Sequence, residues 1–279
     1  MPMEPVTADP WQLLRQYSRA RIALGHAGTS VPTVPHLEFQ FAHARARDAV
    51  HHRLDAQHLY TAITQREHEV MLLHSAAKDR HVYLQRPDLG RRLDDASRQV
   101  LDARAAARQG ECEIAFVIAD GLSAIAIQEH ALPFLDAMLP TLAGEGWLDA
   151  PIVVVEQGRV AVGDEVGQVL RARLVVILIG ERPGLTAPDS MGIYLTYQPA
   201  IGTTDASRNC ISNVRRDGLS YELAAHKLLY LISEALRRKL TGVALKDEAE
   251  VAPQCPTAPG RNILVETGEQ ADLAAYRHG

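Results

Sequence analysis

The feature that most constrains the fold of this chain is residues 174–184, which read LVVILIGERPG. Six consecutive apolar residues, most of them β-branched, predict a central strand that is buried on both faces, as in a parallel sheet covered by helices. Gly180 and Pro183 then end the strand and favour a turn. Ligands of open α/β sheets bind beyond the carboxyl ends of the strands, so Glu181 and Arg182 form a candidate ligand loop. The alternative is a charged turn that faces water.

The composition is that of an ordinary soluble globular protein, and it excludes several function classes. The chain has 279 residues with a net charge of −5, which gives no reason to expect a nucleic-acid partner. Its three cysteines are too few and too scattered for a disulfide framework or a paired-cysteine metal site. The first eleven residues lack the pattern of a signal peptide, and no run approaches the ~20 apolar residues that cross a bilayer. We therefore expect a soluble cytoplasmic protein with no membrane partner.

Helical spacing of apolar residues dominates the first part of the chain. The pattern covers residues 13–24, then residues 37 to about 74, then residues 93–107, where Gly110 is a suitable C-terminal cap. Residues 82–84 are a candidate extended piece between the last two helical stretches. These patterns predict a helical N-terminal region that comprises residues 1–110.

After Gly110, short apolar runs alternate with helical patterns. Strands are predicted at residues 114–119, 152–155, 174–179 and, as a candidate edge strand, 193–197. Helices are predicted from Ala124, broken or restarted at Pro133 and Pro140, then a short one capped by Asp164, and a long one over residues 221–240. The fold class is therefore α/β, with a Rossmann-like, mostly parallel sheet wrapped by helices over residues 111–248. Residues 249–279 form a proline-containing C-terminal tail that we expect to be flexible or loosely docked.

No familiar catalytic or cofactor motif accompanies this fold. No strand is followed by a GxGxxG or Walker sequence, and neither a GxSxG elbow nor an HExxH pair is present. Three histidines, His51, His52 and His58, are expected on a solvated helix face rather than at a metal. Ser123 is expected to cap a helix, and Cys210 to be a small buried residue rather than a reactive thiol. The residues alone thus predict an α/β domain with polar loops at one sheet edge and no self-sufficient catalytic set.

Five short segments together resemble the small (light) subunit of adenosylcobalamin-dependent ethanolamine ammonia-lyase. They are residues 86–92 (RPDLGRR), 120–123 (DGLS), 158–160 (GRV), 180–185 (GERPGL) and 210–213 (CISN). Each segment is weak alone, but the five stand in the order and at the spacing of the family. The resemblance covers roughly residues 11–243.

The resemblance implies a hetero-oligomeric lyase that converts ethanolamine to acetaldehyde and ammonia by radical chemistry. In the family, a TIM-barrel large subunit binds the substrate and carries the catalytic side chains, and the small subunit helps to hold cobalamin between the two. Pairing with that large subunit in a higher hetero-oligomer is therefore expected, with no catalytic residue and no metal ligand on this chain. The apolar side chains of the N-terminal helices are candidates for subunit contacts, but we expect them to form ordinary core. Some members work inside a bacterial microcompartment, and the sequence leaves that location open.

Three residues match cobalamin contacts of the family: Val160, Glu181 and Cys210. Val160 would supply an apolar or backbone contact, and the Glu181 carboxylate would accept hydrogen bonds from amides on the corrin rim. Cys210 would contact the cofactor from the loop after the last strand. The DxHxxG motif of other cobalamin proteins is absent, so the resemblance implies that the cofactor keeps its own benzimidazole ligand. The chain departs from the family at Gln157 and Ala124, where tyrosine and threonine are common.

Two other function classes stay open. The first is an independent α/β enzyme that uses a nucleotide, against which the missing glycine-rich loop counts. The second is a non-catalytic scaffold that retains only the fold, against which the retention of Glu181 and Cys210 counts.

Overall fold

The computed structural model describes residues 6–108, 110–147 and 150–249 of the chain. The helices are α1 (Thr33–His51), α2 (Ala56–Thr64), α3 (Arg80–Gln85), α4 (Asp95–Ala107), α5 (Ala124–Gly144), α6 (Val162–Val169) and α7 (Tyr221–Arg238). The strands are β1 (Val70–His74), β2 (Cys112–Ala119), β3 (Ile152–Glu156), β4 (Ala172–Gly180), β5 (Met191–Tyr197) and β6 (Arg208–Val214). Short 3₁₀ helices lie at Pro10–Gln16, Leu89–Arg91, Asp205–Ser207 and Gly242–Ala244.

The six strands form one sheet in the order β1-β3-β2-β4-β5-β6. The first four strands in this order pair in parallel, whereas β5 and β6 continue the sheet in antiparallel fashion. The predicted mixed α/β class with a mostly parallel sheet is thus confirmed. The apolar run that begins at Leu174 lies in β4, between β2 and β5, as predicted for a central strand.

Alternate residues of the strands enter two separate cores, one on each face of the sheet. On one face, Phe116 of β2 and Val176 of β4 pack with α2, α5 and α7. On the other face, Val117 and Val175 pack with α4 and α6. Helices on both faces explain why these strands carry continuous apolar runs instead of alternating polar residues. They also leave the ends of the strands as the main positions for polar loops.

Several sequence expectations about local structure are wrong. The helical pattern predicted to reach His74 ends earlier, because residues 70–74 form β1, which pairs in parallel with β3. Residues 82–84 are helical rather than extended, and the side chain of Asp79 caps the amide of Val82 at the start of α3. Asp164 lies inside α6 instead of capping it, and its carboxylate binds Arg208.

Other differences concern the second half of the chain. Helix α5 runs through Pro133 and Pro140 without a break, although a proline in a helix interior costs about 3 kcal/mol. Burial of Phe134, Leu135 and Met138 against the sheet offsets that cost. Strand β5 is internal rather than at the edge, because β6, which the sequence pattern missed, pairs with it.

The described part of the chain contains no helix that is long and apolar enough to span a membrane. The boundaries predicted after residues 110 and 248 stay predictions. The predicted tail lies outside the described residues, apart from Ala249.

Candidate functional site

The loops that follow β2 and β4 interlock at the carboxyl edge of the sheet. The amide of Leu122 donates to the carbonyl oxygen of Gly180 over 2.9 Å. A Cβ atom at Gly180 would lie 2.0 Å from the carbonyl oxygen of Ser123, and one at Gly121 would lie 2.2 Å from that of Gly180. Both loops therefore need glycine for close backbone approach, and Gly121 also adopts a positive φ of 57°.

The loop after β3 joins this cluster through two further glycines. The amide of Gly158 donates to Asp120 Oδ1 over 3.0 Å, and that of Arg159 donates to the carbonyl oxygen of Gly90 over 2.7 Å. A side chain at Gly90 would collide with Arg159 and with the ring of Tyr83. Residues 86–92, 120–123, 158–160 and 180–185, which are distant in the sequence, thus meet at one edge.

A buried tyrosine, which sequence reasoning missed, fills the centre of this edge. Tyr83 is fully buried between two guanidinium groups, with Arg80 Cζ at 4.7 Å and Arg159 Cζ at 4.4 Å from its ring centroid. Its hydroxyl donates to the carbonyl oxygen of Gly158 over 3.3 Å, and burial raises its pKa. Asp79, which caps α3, was a sequence signal for this helix. No sequence pattern, however, predicts that Tyr83 stacks between Arg80 and Arg159.

Asp120 lies beneath the same loops and is buried. Burial raises its pKa to about 6, although the nearby guanidinium of Arg80 and the backbone amides of Gln157 and Gly158 act in the opposite direction. Arg80 Nη1 lies 3.5 Å from Asp120 Oδ2 and donates to the carbonyl oxygen of Gly121 over 2.7 Å. This pair ties α3 to the loop after β2.

The carboxylate of Glu181, directly after β4, is held by donors from two neighbouring segments. The hydroxyl of Ser190 donates to its Oε2, and the hydroxyl of Ser212 donates to its Oε1 over 2.6 Å. The amide of Asn213 donates to Oε2 over 3.3 Å. Glu181 is half-buried, so its carboxylate is oriented by the protein while part of the residue stays accessible. The sequence predicted Glu181 itself but not the two serines that hold it.

A cavity of about 400 Å³ brings two of the three predicted site residues together. Val160 and Glu181 both line it, and the remaining lining comes from Tyr83, Gly121, Leu122, Arg159, Ile179, Gly180, Arg182 and Tyr194. The lining combines apolar surface, a carboxylate and two guanidinium groups. Such a surface suits a large ligand that presents both apolar and amide groups.

Cys210 does not line this cavity, and two expectations about it are wrong. It lies within strand β6 rather than in a loop, and it is exposed rather than buried. Its partner across the strands is Tyr194, which lines the cavity. Desolvation of the thiol raises its pKa, so Cys210 is not an activated nucleophile.

A second cavity of about 710 Å³ adjoins the first, because Arg159 and Val160 line both. Its acidic residues Asp88, Glu165 and Asp205 are each paired with an arginine. By contrast, the structure as described shows no ion pair for Arg91, Arg92 or Arg159, which also line it. This cavity therefore offers positive charge to an anionic group.

Two smaller expectations agree with the structure. His51, His52 and His58 are exposed. Ser123 caps α5 because its side chain accepts a hydrogen bond from the amide of Ala126. Its hydroxyl donates to the carbonyl oxygen of Pro188.

Comparison with known proteins gives a consistent result over most of the chain. The family model for the ethanolamine ammonia-lyase light chain matches residues 8–246. The ethanolamine ammonia-lyase small subunit of Pseudomonas aeruginosa is 60% identical over 251 residues, which cover 90% of this chain and 92% of that protein. The small subunit of Azotobacter vinelandii is 58% identical over 264 residues, which cover 94% and 98%. That of Pseudomonas putida is 58% identical over 247 residues, which cover 88% and 91%.

Proposed function

The chain belongs to the ethanolamine ammonia-lyase light-chain family, and on that premise we propose that it is the subunit that helps to hold adenosylcobalamin against a large catalytic subunit. The observation that carries the proposal is the oriented carboxylate of Glu181 in a cavity that it shares with Val160. The expected reaction of the assembled enzyme is the conversion of ethanolamine to acetaldehyde and ammonia.

The residues at the edge fit cobalamin on three counts. Glu181 is an acceptor that suits the amide N–H groups of a corrin rim, and Val160 and Ile179 supply apolar surface beside it. Arg159 Nε is buried and makes no hydrogen bond within the described part of the chain, so it can serve a ligand. A cavity of about 400 Å³ can cover only part of a corrin, which agrees with a site that a second chain completes.

When bound, adenosylcobalamin supplies the radical chemistry that cleaves the carbon–nitrogen bond of ethanolamine. The contribution of this chain is binding and orientation. Glu181 would bind the corrin rim, and Val160 would pack against it. Cys210 would contact the cofactor from β6, beside Tyr194. No residue of this chain is assigned a catalytic role, and no histidine is assigned to cobalt, so the cofactor is proposed to keep its benzimidazole ligand.

The adjoining cavity suits the other end of the same cofactor. A cobalamin that keeps its benzimidazole carries a nucleotide tail with an anionic phosphate. Arg91, Arg92 and Arg159, which form no ion pair among the described residues, line this cavity together with Val160. We assign the phosphate to these arginines, which are suited to phosphate by charge and by their planar donor groups.

The large subunit is proposed to dock beside this edge, on the apolar residues of the N-terminal segment, residues 6–51. Ordinary core burial was the expected role of apolar side chains in this segment, but Trp11, Tyr17 and Phe41 are 66%, 59% and 67% exposed. A further cavity places Phe39 and Val31 beside Leu185, which belongs to the segment that begins at Glu181. The exposed apolar surface therefore reaches the segment that begins at Glu181. A cytoplasmic location, including packaging in a microcompartment, stays a prediction.

Ammonia release from ethanolamine separates this proposal from the two alternatives. The chain and its large subunit are purified singly and as a pair, and each sample is assayed with adenosylcobalamin. We expect activity from the pair alone. Activity of the chain by itself would instead support an independent enzyme, and an inactive but correctly assembled pair would support a scaffold.

The Glu181→Ala variant tests the site within that pair. Leaving the amide donors of the cofactor unpaired should weaken cobalamin binding by ~1–3 kcal/mol. Equilibrium dialysis with cobalamin measures the change, and Glu145→Ala, at the exposed end of α5, is the matched control. An unchanged affinity in Glu181→Ala would mean that its carboxylate faces water in the complex.

A further inference from the structure

Outside the candidate cofactor cavity, a buried histidine faces two carboxylates. His130 of α5 has a side chain that is 1% exposed, and its Nδ1 lies 2.9 Å from the hydroxyl oxygen of Tyr221 at the start of α7. Its Nε2 lies 3.5 Å from Asp189 Oδ2 and 4.0 Å from Glu129 Oε2. This nitrogen is buried and makes no hydrogen bond among the described residues.

The hydrogen bond at Nδ1 decides what Nε2 can do. If Nδ1 donates to Tyr221, Nε2 presents a lone pair toward two carboxylates, and a bound cation would satisfy all three acceptors. If Nε2 carries the proton instead, its distance of 3.5 Å to Asp189 exceeds the 2.7–3.2 Å of an ordinary N–H···O bond. The first arrangement is the usual one for a metal-binding histidine, whose second nitrogen donates to a neighbouring oxygen.

The spacing of the three groups also suits a metal ion. One ligand atom each from Glu129, His130 and Asp189 can be chosen so that all lie within 4.8 Å of one another. Tetrahedral zinc with bonds of about 2.0–2.2 Å places its ligands roughly 3.3–3.5 Å apart. The His130–Asp189 separation of 3.5 Å already meets this, and only Glu129, whose side chain is 54% exposed, must move inward.

We propose that Glu129, His130 and Asp189 form a binding site for a divalent transition-metal ion of the zinc type. One imidazole and two carboxylates are a ligand set that zinc accepts, and water would complete the coordination. Arg215 Nη1 lies 3.6 Å from the other oxygen of Asp189, so it orients the carboxylate and leaves Oδ2 toward His130.

The metal would fasten the segment that carries the candidate cofactor ligand. Asp189 precedes Ser190, whose hydroxyl and carbonyl oxygen both bind Glu181. On its other side, the carbonyl oxygen of Pro188 accepts from Ser123 over 2.8 Å. An ion at Asp189 would therefore join α5 to the far end of the segment that begins at Glu181. Its role is to position that segment, and it takes no part in the chemistry.

Zinc uptake by the assembled pair of subunits tests the proposal without cobalamin or substrate. Chelator-treated pairs are dialysed against Zn²⁺, and bound zinc is counted per small subunit. We expect Asp189→Asn and Glu129→Gln each to bind one zinc ion fewer than the unsubstituted pair. The matched control is Glu145→Gln, an exposed carboxylate at the end of the same helix, which should bind the full number.

Tyr221→Phe tests the positioning role of the hydrogen bond at Nδ1. Loss of this second partner should weaken zinc binding about 10–100-fold without removing a ligand. Equal zinc counts in the unsubstituted pair and in both carboxylate variants would overturn the proposal. Because uptake needs no cofactor, the metal proposal and the cobalamin proposal can fail separately.

Discussion

The carboxyl edge of the sheet and the N-terminal segment, residues 6–51, are built in opposite ways. At the edge, glycine backbones touch, Tyr83 is fully buried between two arginines, and Asp120 is buried beneath the loops. In the N-terminal segment, the buried residues of α1 are only Ala46 and Ala49, while Leu13 and Phe41 are 74% and 67% exposed.

On the proposed docking, the difference separates what this chain completes by itself from what the large subunit would cover. The contacts that shape the edge are internal, so the geometry around Glu181 exists before any ligand binds. The apolar side chains of the N-terminal segment gain burial only from another surface. Changes at the edge should therefore alter stability and cofactor affinity, and changes in the segment should alter assembly.

The largest effect is expected for Gly180→Ala. The new Cβ would lie 2.0 Å from the carbonyl oxygen of Ser123 and 2.6 Å from that of Asp120, and backbone atoms cannot move aside cheaply. We expect a loss of more than about 3 kcal/mol in the free energy of unfolding, at the upper end for overpacking. Urea unfolding of the purified chain measures it.

Gly144→Ala is the matched control for that substitution. Gly144 ends α5, and no atom lies within 4 Å of its added Cβ. Alanine should leave stability unchanged or raise it by about 0.4–1 kcal/mol. A Gly180→Ala chain as stable as Gly144→Ala would show that the edge is loosely packed, which contradicts the comparison.

Asp120 gives the edge a specific pH dependence. Its pKa is about 6 in the fold against 3.8 when unperturbed, so the folded state binds the proton more tightly than the unfolded state does. The contribution of Asp120 to stability therefore rises as pH falls from about 6 toward 4, by at most about 3 kcal/mol. Asp120→Asn removes this contribution. The free energy of unfolding of the unsubstituted protein, relative to that of the variant, should therefore fall as pH rises through this window.

Asp136→Asn should show the opposite sign in the same measurement, thermal unfolding, but at lower pH, because its window lies below the unperturbed carboxyl pKa of 3.8. The guanidinium of Arg66 lowers the pKa of Asp136, so its contribution is present at neutral pH and declines in acid. Parallel pH profiles for Asp120→Asn and unsubstituted protein would mean that Asp120 stays ionised beneath the loops.

The sequence predicted those helices and strands whose apolar pattern and end signals lie within the element itself. Strand β4 was recognisable because residues 174–179 are apolar without interruption and end at Gly180. Strand β6 was not, because it is an edge strand in which Arg208, Ile211 and Val214 are buried, at a spacing of three instead of two. Strand β1 follows α2 after a short link without glycine or proline, so its apolar residues extended the helical pattern.

The candidate site shows the same division between local and distant information. Val160 and Glu181 were found because they lie in short segments that resemble a known family, and the structure places both on one cavity. The stacking of Tyr83 between Arg80 and Arg159, and the serines that bind Glu181, depend on contacts between segments far apart in the chain. No single sequence encodes such contacts as a pattern.

The N-terminal segment is tested by Phe41→Ser. Because Phe41 is 67% exposed, its loss should change the free energy of unfolding by less than about 0.5 kcal/mol. As an aromatic contact it should weaken association with the large subunit by about 1–2 kcal/mol, or roughly 5–30-fold. Sedimentation of the mixed subunits measures the association. Val100→Ser, at a 55% exposed position on α4, should leave it unchanged, and equal effects of the two variants would place the interface elsewhere.

Ser212→Ala is the finest test, because it changes the edge without touching packing. Ser212 is exposed and donates to Glu181 Oε1, while Ser190 and the amide of Asn213 still hold the other oxygen. Losing one of three donors should weaken cobalamin binding by about 0.5–1.5 kcal/mol and leave subunit association unaffected. Ser233→Ala, which removes a hydroxyl that donates to the carbonyl oxygen of Leu229 in its own helix, is the control for dialysis with cobalamin. If both serine variants bind the cofactor equally, the orientation of Glu181 rests on Ser190 and the backbone amide of Asn213.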